Sequence, residues 1–195
     1  MRVEPLAPSH LSGWKALFDA SGSPCFCRYW HFVGNKNAWL ERCAFTPETN
    51  AVEQSALVTR GDPAGRGLVA IADDGSVVGW MKLVPRAVVP KLRGLPVYKN
   101  LDLGADDEVY SVGCFLVHPA HRKRDVARAL LAAADAFVLA WGGTVVEAYP
   151  RRSAEPMNDE EAWMGPEVIF GEHGFIAQHD EGPYPVYRKR LAGYV

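Results

Sequence analysis

The sequence predicts an α/β (α+β) domain in which a mixed, mostly antiparallel sheet of six to seven strands is flanked by about four helices. Three observations carry that expectation. Two apolar runs, at residues 68–72 and 77–84, are separated by Asp73-Asp74-Gly75-Ser76, which is the turn chemistry of a hairpin. A strand-like run at 109–117, a basic turn, a helical stretch at 126–141 and another apolar run at 144–149 form a βαβ pattern. Two short segments, 175–179 and 185–190, then close the chain as a final strand pair.

Taken in order, Arg2 to Leu6 reads as a short strand bounded by Pro5 and Pro8. Ser9 is placed to cap a helix whose apolar positions Leu11, Trp14, Leu17 and Phe18 recur at helical spacing. A Gly/Ser/Pro break at 21–24 leads into an aromatic-dense stretch, 25–32. Helical segments follow at 37–45 and 48–59, the second behind Pro47. After the hairpin, residues 85–107 carry prolines, glycines and scattered charges and read as a long loop. The 126–141 helix lines one face with Val126, Leu130, Phe137, Val138 and Trp141, and Gly142-Gly143 stops it. Pro150 ends the next strand. Residues 151–164 are polar and irregular, and a short helix at 166–173 stops at Gly174.

The whole chain, 1–195, is expected to form one domain, since 195 residues suit a single full-sized core. The formal charge of −2 argues against a generally basic nucleic-acid binder. No apolar stretch is long enough to span a bilayer, and no secretory signal is visible, so the expected setting is cytoplasmic without a membrane role. In that setting the cysteines at 25, 27, 43 and 114 are expected as thiols. Cys25, Cys27, His31 and Cys43 invite a zinc reading. Their C-x-C spacing is tighter than the usual knuckle and no second close ligand pair follows, so no metal is expected.

The chemistry concentrates between residues 109 and 150. From His118 to Arg128 there are four cationic side chains against one Asp, a local charge of +3 in a chain of charge −2. A helix that begins just after such a turn presents unpaired N–H groups and a positive dipole end, as a phosphate-bearing ligand requires. A solvated basic loop before an ordinary amphipathic helix has the same spacing.

The run Val117-His118-Pro119-Ala120-His121-Arg122-Lys123-Arg124-Asp125-Val126-Ala127 resembles the V-x-P-x-x-R-x-x-G-x-A pyrophosphate loop of the GNAT superfamily of N-acyltransferases. The element order, the Phe170-Gly171-Glu172-His173-Gly174-Phe175 segment and the "VEAYP" strand are similar too, as is a CxCxYW-like segment, Cys25 to Trp30, of one bacterial subgroup. The resemblance implies the GNAT fold, with splayed fourth and fifth strands, and acetyl-CoA as the acyl donor. The pantetheine arm would bond the backbone near Phe115, Leu116 and Val117, one of whose N–H groups would polarise the thioester carbonyl. The pyrophosphate would rest on Arg122, Lys123, Arg124, Asp125, Val126, Ala127 and Arg128. A primary amine, on a small molecule or a peptide, would attack the thioester directly. A homodimer is compatible with such a fold, and a non-catalytic acyl-CoA-binding protein is the alternative reading.

Three features depart from the family pattern. Asp125 replaces the loop glycine, and its carboxylate would either cap the helix, in competition with the pyrophosphate, or turn to solvent. Phe170 stands where many members place an acidic Tyr, leaving Tyr149, Tyr184, Tyr187 or water as the acid. The base is open between Glu108, Glu147 and a water relay. Cys27, Tyr29 and Trp30 are the candidate wall of the acceptor pocket, or else an apolar plug at one end of the sheet.

Overall fold

The structure is a computed structural model that describes residues 1–155, 157, 158 and 161–191. Strand β1 (Arg2–Pro5) is followed by helices α1 (Leu11–Ala20), α2 (Lys36–Phe45) and α3 (Pro47–Thr59). The hairpin β2 (Gly67–Ile71) and β3 (Val77–Pro85) comes next, then a short helix α4 (Pro90–Gly94) and strand β4 (Val109–Val117). Helix α5 (Val126–Ala140), strand β5 (Val145–Ala148), helix α6 (Glu167–Glu172) and strands β6 (Ile176–His179) and β7 (Val186–Arg190) complete the fold.

The seven strands form one sheet in the order β1-β2-β3-β4-β5-β7-β6, antiparallel everywhere except between β4 and β5. That parallel pair is held by three residue pairs, Val109 with Val145, Tyr110 with Val146, and Ser111 with Glu147. Beyond Ser111 β4 runs six residues further, whereas β5 ends at Ala148 and Pro150 has no N–H to offer a neighbour. A register shift between β3 and β4 at Met81–Leu83 adds a local bend. The sheet therefore opens into a wedge between the two strands.

Helix α5 buries Val126, Leu130, Leu131, Ala134 and Val138 against one face of the sheet. It lies close because β3 carries Gly79 there, where a Cβ would stand 2.4 Å from Val126 Cγ1. On the opposite face α1 packs Trp14, Leu17 and Phe18 against Trp80 and Phe26. A third apolar cluster, including Trp30, Tyr98, Tyr149 and Met164, closes over the end of β5.

Two expectations need amending. Among the described residues six α-helices flank the sheet where about four were expected, and the 85–107 loop contains α4 and a 3-10 turn, Arg86–Val88. Buried Arg86 organises that loop. Its guanidinium donates to the carbonyls of Leu103, Gly104 and Ala105 and to the carboxylates of Asp106 and Glu147, an arrangement no local sequence period encodes.

Candidate functional site

The turn before α5 is built from left-handed backbone. Lys123 (φ 57°) and Asp125 (φ 58°) both lie in the region glycine favours, and Asp is among the residues that tolerate it best. Left-handed residues at alternate positions curl the main chain into a concavity lined by N–H groups. Asp125, where the resemblance places a glycine, thus takes a left-handed backbone of the kind glycine favours.

The Asp125 carboxylate makes no capping bond to the first turn of α5. It turns outward, 76% exposed, and accepts from Arg128 Nη1 at 3.0 Å. The competition expected from an N-cap is absent, because a left-handed backbone points the side chain away from the helix axis. Arg128 is also held in a two-bond pair with Glu172, at 2.7 and 3.1 Å. Those two carboxylates offset the charge Arg128 was expected to lend a phosphate.

A groove of roughly 570 Å³ runs from this turn to the open wedge. Nine of the ten residues expected to hold the donor line it; exposed Arg124 stands outside. His121, Met157, Ala162, Pro166 and Ile169 also line it and were not expected. Ile169 is in register with the apolar face of its short helix and could have been found that way. Met157 and Ala162 sit in an aperiodic stretch that gives no such signal.

Strand alternation decides which N–H groups face the wedge. His118 N–H is donated to Val78 on β3, so Leu116 N–H points to β3 as well, and Phe115 and Val117 face the opening. Leu116 is therefore not placed to polarise a carbonyl in the wedge. Phe115 N–H is already donated, to the Trp163 carbonyl at 2.7 Å. The turn that delivers Trp163 needs Gly165 (φ 88°), where a Cβ would stand 2.8 Å from the Phe115 ring. Val117 is thus the wedge-facing member of the expected trio that keeps its N–H clear of that contact.

Of the three candidate acid–base groups, Glu147 and Tyr149 are brought into direct contact and Glu108 stands apart. Glu108 precedes the closed end of the β4/β5 pair, about 23 Å along the extended strand from Phe115. Its carboxylate accepts from Thr144 Oγ1 at 2.7 Å. Glu147 is fully buried and accepts from Arg86 (3.0 Å to each oxygen), Arg188 and the Tyr149 hydroxyl (2.6 Å). The expected Arg151 and Arg152 partners instead pair with Glu161 and Glu167. Two guanidiniums and a phenol thus already occupy its oxygens. Tyr149 also contacts Ser111 Oγ at 2.9 Å, and burial together with the neighbouring Glu147 raises its pKa well above the ordinary phenol value. It holds its proton and serves as a donor.

Cys27, Tyr29 and Trp30 do come together. They line an aromatic cavity of roughly 400 Å³ with Trp39, Trp163 and Cys114. Trp30 is anchored by its indole N–H, which donates to Gly113 O on β4 at 3.0 Å. Lys91 Nζ stands 4.6 Å from the Tyr29 ring on the flank of this cavity. Phe115 and Leu116 line both this cavity and the groove beside the basic turn, so the two hollows meet at β4.

The thiol expectation is corrected for two cysteines. Cys27 and Cys114 form a disulfide, with Cα atoms 6.7 Å apart, while Cys25 and Cys43 remain thiols. A separation of 87 positions hid this pairing from sequence spacing. Among the described residues no cluster of three or more metal-ligating side chains is found, and no helix is long and apolar enough to cross a membrane.

Residues 26–164 match the model of the Acetyltransferase (GNAT) family. The fold resembles that of the PaiA N-acetyltransferase of Thermoplasma acidophilum, solved with coenzyme A, at 12% identity and a TM-score of 0.55 over 98% of this chain and 100% of that one. It also resembles a GCN5-related N-acetyltransferase from Kribbella flavida (17% identity, TM-score 0.56, 97% of each chain). A third likeness is to an aminoglycoside 6′-acetyltransferase type Ii (12%, 0.58, 100% of each). No curated protein matches the chain.

Proposed function

Because the chain belongs to the GNAT acetyltransferase family, we propose that it transfers an acetyl group from acetyl-CoA to a primary amine by direct attack in a ternary complex. The observation that carries this reading is the meeting of two hollows at Phe115 and Leu116, one ending in the basic turn and the other walled by aromatic rings.

In this reading the pyrophosphate rests on the N–H groups of the 122–127 turn, with Arg122 and Lys123 adding charge. The pantetheine arm follows β4 and brings its thioester to the mouth of the aromatic cavity. Val117 N–H faces the wedge from the start, and Phe115 N–H joins it once the Trp163 carbonyl swings away. The amine enters from the aromatic side, where ring faces accommodate its ammonium form.

An alkyl ammonium must lose a proton before it attacks. With Glu108 remote and Glu147 clamped, water in the cavity takes that proton. Tyr149 holds the floor of the neighbouring cluster in place through Ser111 and Glu147, as a positioning residue. The collapse of the tetrahedral adduct needs little help, since a thiol with a pKa of about 8.5 leaves readily as thiolate.

The test is release of free thiol from acetyl-CoA against a panel of primary amines, with calorimetry of acetyl-CoA binding alongside. Binding with amine-dependent thiol release supports the proposal. Binding with no release for any amine supports the non-catalytic acyl-CoA-binding reading, which the clamped Glu147 and the occupied Phe115 N–H favour.

A further inference from the structure

We propose that the Cys27–Cys114 disulfide is a covalent capture site for the free thiol of CoA, which forms a mixed disulfide with Cys114. The inference rests on CoA occupying the donor groove as described above.

Four observations support it. Both sulfurs belong to residues only 4–5% exposed, and both residues line the aromatic cavity, so that cavity is the way in. Cys114 immediately precedes Phe115, one of the two residues shared by cavity and groove. A pantetheine arm that follows β4 away from the basic turn would therefore reach the cavity at the level of Cys114. Finally, Trp80 Nε1 donates to Cys27 Sγ at 3.2 Å.

The last contact sets the direction of exchange. A thiolate attacks the sulfur whose partner leaves most easily, and a leaving thiolate is stabilised by a hydrogen-bond donor. The CoA thiol gives its proton to water, and its sulfur bonds to Cys114 Sγ. The Cys27–Cys114 bond breaks, and the electron pair stays on Cys27 as a thiolate facing the Trp80 indole N–H. No external oxidant or reductant is consumed. The reverse step, attack of Cys27 on Cys114, expels CoA and restores the bond. While attached, CoA fills the donor groove and excludes acetyl-CoA. Acetyl-CoA itself has no free thiol and cannot enter this exchange, so the site distinguishes spent donor from fresh donor.

The experiment incubates the full chain, purified without reductant, with CoA, acetyl-CoA or glutathione, and follows it by intact-mass spectrometry and peptide mapping under non-reducing conditions. The expected result is a CoA adduct mapped to Cys114, formed at least tenfold faster than a glutathione adduct at equal thiol concentration. Excess acetyl-CoA slows it, and Cys114→Ser abolishes it. Titration of four free thiols in the untreated denatured chain overturns the proposal, as does an adduct mapped to Cys25 or equal rates with the two thiols. Calorimetry on the same sample separates the two claims. If acetyl-CoA binds and no adduct forms, covalent capture alone fails; if acetyl-CoA does not bind, the donor-site reading fails with it.

Discussion

The carbonyl oxygen of Trp163 accepts the backbone N–H of Phe115 at 2.7 Å, so a loop residue holds the place on β4 where a ligand carbonyl would bond. The contact depends on Gly165, whose positive φ and lack of a Cβ let the turn close against the Phe115 ring. Gly165→Ala introduces both backbone strain and a clash, a cost of roughly 1–3 kcal/mol. Amide hydrogen exchange at Phe115 should then accelerate at least tenfold, while the α5 amides stay protected. Unchanged exchange at Phe115 would show that the turn does not hold this N–H.

Asp125 places a mostly solvated negative charge beside the proposed pyrophosphate cradle without blocking its N–H groups. Asp125→Gly keeps the left-handed backbone and removes the charge. Acetyl-CoA affinity should rise by roughly two- to fivefold, in line with the small worth of exposed charge pairs. The gain should shrink in high salt. Asp125→Val, β-branched at φ 58°, should weaken binding instead. Isothermal titration across the three proteins checks the order.

Glu147 neutralises Arg86 and Arg188 inside the protein. Glu147→Ala removes the carboxylate that faces Arg188 and one of the two that face Arg86, and should cost about 3–5 kcal/mol of stability. A denaturant titration reads that loss directly. Glu147→Gln keeps the acceptor oxygen for Tyr149 and Arg86 and should recover part of it. If kcat of the folded Gln variant fell more than a hundredfold with stability intact, Glu147 would be a base after all.

Burial and the nearby Arg28 lower the Lys82 ammonium from 10.5 to about 7, and burial together with Lys82 lowers His31 to about 2. Both groups bind protons less readily in the folded chain than in the unfolded one. Stability therefore rises with pH through both windows, below about 6.5 for His31 and between about 7 and 10.5 for Lys82. Lys82→Met should flatten the upper window and stabilise the protein at pH 7, as thermal unfolding at several pH values would show. A midpoint that stays flat from pH 7 to 10 in the parent chain would contradict the burial argument.

If water is the proton acceptor, the pH profile belongs to the substrate. For an alkylamine acceptor, log kcat/KM should rise with unit slope up to the amine's own pKa, near ~10. Exchanging the amine for a less basic one should move the break point with it. A break that stays fixed as the amine changes would identify a titrating group on the protein.

Much of this architecture could be read from residue pattern alone. The apolar runs at 68–72 and 77–84, the amphipathic stretch at 126–141 and the basic turn between 118 and 128 each report local physics, and each stands where that physics puts it. Nine of the ten residues proposed to hold the donor line one groove because they fall in two short runs, 115–117 and 122–128. What stayed hidden is long-range. The Cys27–Cys114 bond, the Arg86 clamp on Glu147 and the approach of Trp163 to Phe115 join residues 87, 61 and 48 positions apart. Side-chain orientation was hidden as well. Asp125 suits a helix cap by composition, yet a positive φ sends its carboxylate outward.

The three-rung parallel ladder between β4 and β5 has a mechanical corollary. It is a narrow hinge joining two leaves, β1 to β4 on one side and β5 to β7 on the other. In the proposed reading, a nucleotide lodged in the opening adds cross-ties to those the polypeptide makes from Ser111 to Tyr149 and from Phe115 to Trp163, so cargo acts as mortar for the scaffold. Loading the wedge should tighten the leaves into one body, and emptying it should leave the seam as the first place to part.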